Sequence, residues 1–173
     1  MKKTLLALAA IAASSTAFAQ SSVTLYGVVD VSVENVKGDQ SVSRVSSDNL
    51  SSSRLGLKGV EDLGGGAKAS FTLETNVKPD TGAHGNSGRF WDRAAWVGLS
   101  GGFGELRLGR IESAIGDIAG SVLSAQAYDD LKIVKTRAGE YYRRVDNTIT
   151  YILPALVPGL TAQIQYSLAG EGH

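Results

Sequence analysis

Directly behind a removable export signal, residues 22–36 alternate strictly in character. Val23, Leu25, Val29, Val31 and Val33 share one parity, while Thr24, Tyr26, Asp30, Ser32 and Glu34 share the other. Successive side chains of a strand point to opposite faces. The segment is therefore expected to be a strand with one apolar and one polar face, in a chain that leaves the cytoplasm. What such a chain can fold into turns on what the apolar face touches.

The export signal is built in the usual order: Lys2 and Lys3, an apolar run over residues 5–13, and the small-x-small site Ala17-Phe18-Ala19. Residues 1–19 are expected to be removed, with the mature chain beginning near Gln20. The apolar run is shorter than the roughly 20 residues a spanning helix needs, and no later stretch comes closer. Cysteine is absent, so disulfides do not stabilise the exported chain. Without Lys2 and Lys3 the basic residues fall from 17 to 15 against 17 acidic ones, which leaves no basic field for nucleic acid. The 21 glycines and only 3 prolines suit many strands joined by tight turns.

Six further stretches alternate similarly, at about 52–61, 67–77, 90–99, 105–110, 145–153 and 160–168. The third strand is the cleanest: Ala67, Ala69, Phe71, Leu73, Thr75 and Val77 against Lys68, Ser70, Thr72, Glu74 and Asn76. Connections alternate in length. Short turns follow the second, fourth and sixth strands, whereas residues 37–51, 78–89 and 111–144 form long polar connections. A soluble sandwich would bury the apolar faces in a core; a membrane barrel would turn them to lipid and the polar faces to a lumen. The export signal, the sorted loop lengths and the modest apolar residues with aromatics near strand ends favour the barrel. The fold class expected is all-β, a transmembrane antiparallel barrel. Seven strands is odd, whereas single-chain bacterial barrels have even counts, and a free edge in lipid leaves backbone groups unpaired at several kcal/mol each. The chain is thus expected to be the amino-terminal part of a longer barrel, unable to close a pore alone.

Several motifs resemble one family. They are Ser22-Val23-Thr24-Leu25-Tyr26-Gly27, Ser53-Arg54-Leu55-Gly56-Leu57-Lys58-Gly59 leading to Glu61-Asp62-Leu63-Gly64-Gly65-Gly66, Ala95-Trp96-Val97-Gly98-Leu99-Ser100-Gly101, Leu108-Gly109-Arg110 and Asp146-Asn147-Thr148-Ile149-Thr150-Tyr151. In this order they resemble the Gram-negative general porins of the betaproteobacterial type, over about the first half of such a protein. The resemblance implies a sixteen-stranded, homotrimeric outer-membrane barrel that passes small hydrophilic solutes and ions, with no cofactor and no enzymatic chemistry. It also implies that a third long loop, here about 111–143, folds into the lumen. Family porins set wall arginines against carboxylates of that loop. By motif the arginines fall on Arg54, Arg93 and Arg144, with Arg143 as competitor for the last. Lys58 shares the polar parity of Arg54. The loop lacks the acidic Pro-Glu-Phe-Gly-Gly motif of some relatives, so the carboxylates are expected at Asp117 first, then Asp129 and Asp130. At most a weak anion preference is expected.

Arg93 shares parity with Val97 and Leu99, which would otherwise face lipid. Either a bulge intervenes or the fourth strand is inverted, with Trp96 outward and Ala95 inward; inversion is the preferred expectation. Lys58, Lys68 and Glu74 are expected to line the lumen without a special role. His84, in a Gly/Asn/Ser loop, is expected to be solvated rather than a metal ligand. The triple glycine is followed by no Lys-Ser/Thr pair, so it is a turn rather than a phosphate loop. No Gly-x-Ser-x-Gly nucleophile motif supports a hydrolase.

Overall fold

The structure, a computed structural model, describes residues 22–38, 41–85, 88–114, 116–117, 144–155 and 157–168. Among the described residues, ten strands are arranged in two sheets. They are β1 (Ser22–Val28), β2 (Val31–Lys37), β3 (Ser41–Ser47), β4 (Arg54–Gly64), β5 (Ala67–Lys78), β6 (Ala83–His84), β7 (Ala94–Gly101), β8 (Gly104–Glu112), β9 (Arg144–Ile152) and β10 (Gln163–Ser167). The large sheet runs β1-β4-β5-β7-β8-β9-β10, with β6 paired to the far end of β5, while β2 and β3 form a separate hairpin. Every pairing is antiparallel between strands adjacent in the wall. Among the described residues, β1 and β10 are the two ends of this sheet.

The wall is inside out relative to a water-soluble sheet. The one large buried apolar residue among those described is Ile111. The most deeply buried side chains are hydroxyl-bearing: Ser53, Thr75, Thr148 and Thr150. Val23, Leu25, Val60, Val97, Leu99, Leu108 and Ile149 instead stand bare, with Leu25 66% and Val97 58% exposed. Cross-strand register gathers them into rows such as Phe71–Val97–Leu108–Ile149. A monomeric soluble protein does not leave a contiguous apolar sheet face open. A lipid-facing wall requires one.

Tight turns close one end of the wall. Gly64, Gly65 and Gly66 all hold positive φ (82°, 61° and 82°), a conformation that costs residues with a Cβ. Gly104 holds φ 105° in the β7–β8 turn. The long connections leave the other end. The stretch expected as a polar loop over residues 37–51 instead carries β3, and the expected first strand over residues 22–36 is split in two. β1 breaks at residues 29–30 and continues as β2, which pairs with β3. The Glu34–Arg44 ion pair (2.5 Å) and Asn35 bonds to Ser41 and Ser43 hold this hairpin together. Its base is a polar corner: Leu50 and Ser51 N–H groups donate to Asp30 Oδ2 (2.8 and 2.6 Å), and Ser53 exchanges bonds with the Asp30 backbone.

The fourth expected strand begins later than expected, at Ala94, and is not inverted. Trp96 lies opposite Thr72, and Ala95 lies opposite Leu73. Since Thr72 belongs to the polar face of β5, Trp96 shares that face and Val97 shares the apolar one, which reverses the preferred sequence expectation. Arg93 stands just before the strand, where its N–H still donates to the Glu74 carbonyl at 3.1 Å. The irregularity therefore sits at Arg93, just before the strand, and alternation within β7 is intact.

Candidate functional site: the polar face of the wall

The polar face is organised around Glu74 on β5. Register puts Tyr26, Gly56 and Glu74 in one row across β1, β4 and β5. The Tyr26 ring lies over Gly56, and its hydroxyl donates to Glu74 Oε2 at 2.8 Å. Any Cβ at Gly56 would collide with that ring, so the glycine is required by close approach. Lys58, two residues along the same face, holds its ammonium 5.3 Å from the centre of the Tyr26 ring, within cation–π range.

Arg93 closes on Glu74 from the other side. Its Nε donates to Glu74 Oε1 at 2.5 Å and its Nη1 to Asn76 Oδ1 at 3.0 Å. The pair is largely enclosed, with side chains 11% and 16% exposed. Asn76 in turn donates to both carboxylate oxygens of Asp92, from its backbone (2.8 Å) and its amide (2.7 Å). Arg110 donates to the Asp92 carbonyl (2.8 Å) and to Asp146 Oδ1 (2.6 Å), while Arg89 reaches Asp146 Oδ2 (2.8 Å). A single polar relay thus runs from Tyr26 to Arg89 along the end of the wall that carries the long connections.

Asp146 owes its position to an irregularity. The β8–β9 register shifts between Gly109 and Ile111, where Arg110 faces the two residues Asp146 and Asn147, and Asn147 holds φ 52°. A bulge of this kind re-aims side chains, and here it brings Asp146 to Arg110. Arg144 pairs with Glu112 at 3.4 Å where the last residues of β8 meet the first of β9. Arg54 donates to the Ser52 carbonyl (3.0 Å) and Ser51 Oγ (3.4 Å), both neutral.

Toward the tight turns the face carries a second cluster. The Arg107 guanidinium sits 4.5 Å from the centre of the Trp96 ring, and two parallel bonds (2.7 and 2.9 Å) tie it to Glu105. The root of the long third connection also bends over the polar face. Gln165 on β10 accepts from Ala114 N–H (3.2 Å) and donates to the Glu112 carbonyl and Thr150 Oγ1 (3.1 Å each). A helical turn follows, with Asp117 N–H donating to the Ser113 carbonyl at 2.9 Å.

Of the expected site residues, Lys58 and Arg93 share one neighbourhood around Tyr26 and Glu74, Arg54 lies near it in the row Val28–Arg54–Asn76, and Arg144 lies farther along the wall. Asp117 is exposed and joins none of the described ion pairs. Asp129, Asp130 and Arg143 lie outside the described residues. Sequence reasoning missed the role of Glu74, the carboxylate that meets Arg93. Its polar parity on β5 was visible, but its partner is fixed by cross-strand register. Asp92, Asp146, Arg89 and Arg110 carried no signal beyond their positions at strand ends.

An unclosed antiparallel wall, apolar on one face and charged on the other, with short turns at one end and long connections at the other, is the wall of an outer-membrane β-barrel. Residues 5–173 match the Gram-negative porin family, and the chain belongs to that family. It is 52% identical over 113 residues to outer membrane porin protein 32 of Delftia acidovorans, covering 64% of this chain and 32% of that protein. To the major outer membrane protein P.IB of Neisseria meningitidis serogroup B it is 33% identical over 175 residues, covering 97% of this chain and 50% of that one. Among solved structures it is similar to an anion-selective porin from Comamonas acidovorans, with TM-score 0.67, 36% identity, and coverage of 86% of this chain and 47% of the other. The chain spans at most about half the length of these relatives. The family is one of the outer membrane, and the protein resides there.

Proposed function

We propose that the protein forms a water-filled channel in the outer membrane through which small hydrophilic solutes and ions diffuse passively, without chemistry. The observation that carries this is the sorting of the wall into a bare apolar face and a face built of Tyr26, Arg54, Lys58, Glu74 and Arg93. The similarity to proteins named as porins supports it. Charged side chains lining a pore select among permeant ions, and a Debye length of about 8 Å at physiological salt lets them act across a narrow lumen. Around Glu74 the three cations Arg54, Lys58 and Arg93 face one carboxylate, an excess that supports a weak anion preference. Arg144, with Glu112 beside it, lines the same channel in this reading, and the third long connection, whose root at Glu112 and Ala114 is held by Gln165, narrows it. The working unit is a homotrimer whose apolar faces meet lipid or a sister subunit. Reconstituted in planar bilayers, the intact protein gives stepwise conductance with reversal potentials tilted toward anions. Silence in the bilayer, or firm cation selectivity, contradicts the proposal.

A further inference from the structure

We infer that Arg107, backed by Trp96 and clamped by Glu105, forms a stacking site for small aromatic carboxylates at the tight-turn end of the polar face. The inference rests on the channel function proposed above and deepens it by naming a solute class that this part of the wall holds in passage. The site discriminates by flatness and not by charge, since Glu105 already balances Arg107.

Four residues of β7 and β8 build it. Gly98 lies directly opposite Arg107 and two residues from Trp96, so all three share the polar face, and Glu105 follows the parity of Arg107. A Cβ at Gly98 would come within 3.2 Å of the Trp96 ring edge and 3.3 Å of Glu105 Oε1. The missing side chain is what lets ring and carboxylate settle over the strand. The Arg107 guanidinium carbon stands 4.5 Å from the centre of the Trp96 ring, within cation–π range. Nε and Nη2 donate to the two oxygens of Glu105 at 2.7 and 2.9 Å, the paired geometry in which a planar fork meets a carboxylate. The guanidinium is thus fixed in its plane by one edge and supported on one face by the indole.

What these contacts leave open defines the ligand. The Arg107 side chain remains 28% exposed, and its Nη1 takes no bond among the described residues. The second face and the second edge of the guanidinium are therefore left for a solute. The face suits a flat π-system, because guanidinium groups stack on aromatic rings. The Nη1 edge suits a carboxylate oxygen carried by that ring. A puckered, saturated ring with the same carboxylate meets the edge but not the face. At a partly exposed site this contact changes affinity by about two- to fivefold.

The test compares benzoate with cyclohexanecarboxylate, one flat and one puckered, both singly charged at pH 7. Each is titrated against the KCl current of the intact protein in planar bilayers, and the concentration that halves the current is read. At about 1 M KCl the Debye length is about 3 Å, so long-range attraction is screened alike for both. In the wild type benzoate is expected to block at a concentration about two- to fivefold lower than cyclohexanecarboxylate. R107K keeps the charge but not the plane, and W96L removes the supporting ring; each is expected to bring the ratio to about one. Damage to packing that merely widens or narrows the pore moves both blocking concentrations together and leaves their ratio unchanged. A conducting wild type with a ratio of about one, or either variant conducting with the wild-type ratio, overturns the inference and leaves the channel proposal standing. If one variant fails to assemble, the other decides it. A silent wild type overturns both the channel proposal and this inference.

Discussion

Val97→Arg places a charge on the face that distinguishes a lipid-facing wall from a soluble one. Val97 is 58% exposed in the centre of β7, between Phe71 on β5 and Leu108 on β8, in a row that continues to Ile149. If this row faces hydrocarbon, an arginine there costs about 2–4 kcal/mol at mid-bilayer depth. That corresponds to a drop of about 30- to 700-fold in the folded-to-unfolded ratio. If the row faces water, the substitution is a surface change within about 0.5 kcal/mol of neutral. The assay is urea-dependent folding of the intact protein into lipid vesicles, with wild type and V97R compared in the same lipid. A midpoint shift equivalent to less than about 0.5 kcal/mol refutes the assignment of this face to lipid.

Three further outcomes are expected. Gly56→Val displaces the Tyr26 ring and its bond to Glu74 and destabilises by about 1–3 kcal/mol; Tyr26→Ala removes the obstacle, so the two substitutions together cost less than the sum of each alone in a double-mutant cycle. Gln165→Ala releases the root of the third long connection, at Glu112 and Ala114, from β10, and the intact channel becomes noisier or more conductive in single-channel records. Burial pushes the Asp48 carboxyl up, but bonds from Lys78 and from Ser53 outweigh it and hold the group below the usual aspartate range. A depressed folded value means that the contribution is present above the unfolded value near 3.8 and lost as pH falls through the folded one. Amide exchange at the base of the β2–β3 hairpin is therefore protected at pH 5 and loses part of that protection well below pH 4, and Asp48→Asn weakens this pH dependence.

Much of the wall was legible in the residues because a strand's period of two writes its faces directly into the chain. The alternation over Ala67–Lys78 and the triple-glycine turn place β4 and β5 to within a few residues. Only half of the β2–β3 hairpin was legible. The parity of Val31 and Val33 marks β2 as strand, but β3 sets Val42 and Val45 on opposite faces among Ser41, Ser43, Arg44, Ser46 and Ser47, so no single apolar face advertises it. The orientation of Trp96 failed for a different reason. Arg93 was used to set the parity of β7, but it precedes the strand, and the neighbour β5 fixes the faces instead. The site shows the same division. Tyr26, Arg54 and Lys58 could be assigned to the polar face by parity. The meeting of Arg93 with Glu74 depends on which residues lie opposite one another, and the meeting of Arg110 with Asp146 depends on a register shift that alternation does not encode.

The central claim is that odd-numbered residues of β7 and even-numbered apolar residues of β8 meet lipid while the face of Lys58 and Thr72 meets water. These 173 residues hold no cysteine, so single cysteines placed among them carry a spin label with no background from this part of the protein. Labels at positions 97 and 108, in the intact protein reconstituted in vesicles, should collide with oxygen dissolved in the bilayer and be shielded from a water-soluble nickel chelate. Labels at positions 58 and 72 should show the reverse. Equal access at all four positions, or the opposite pattern, would contradict the account.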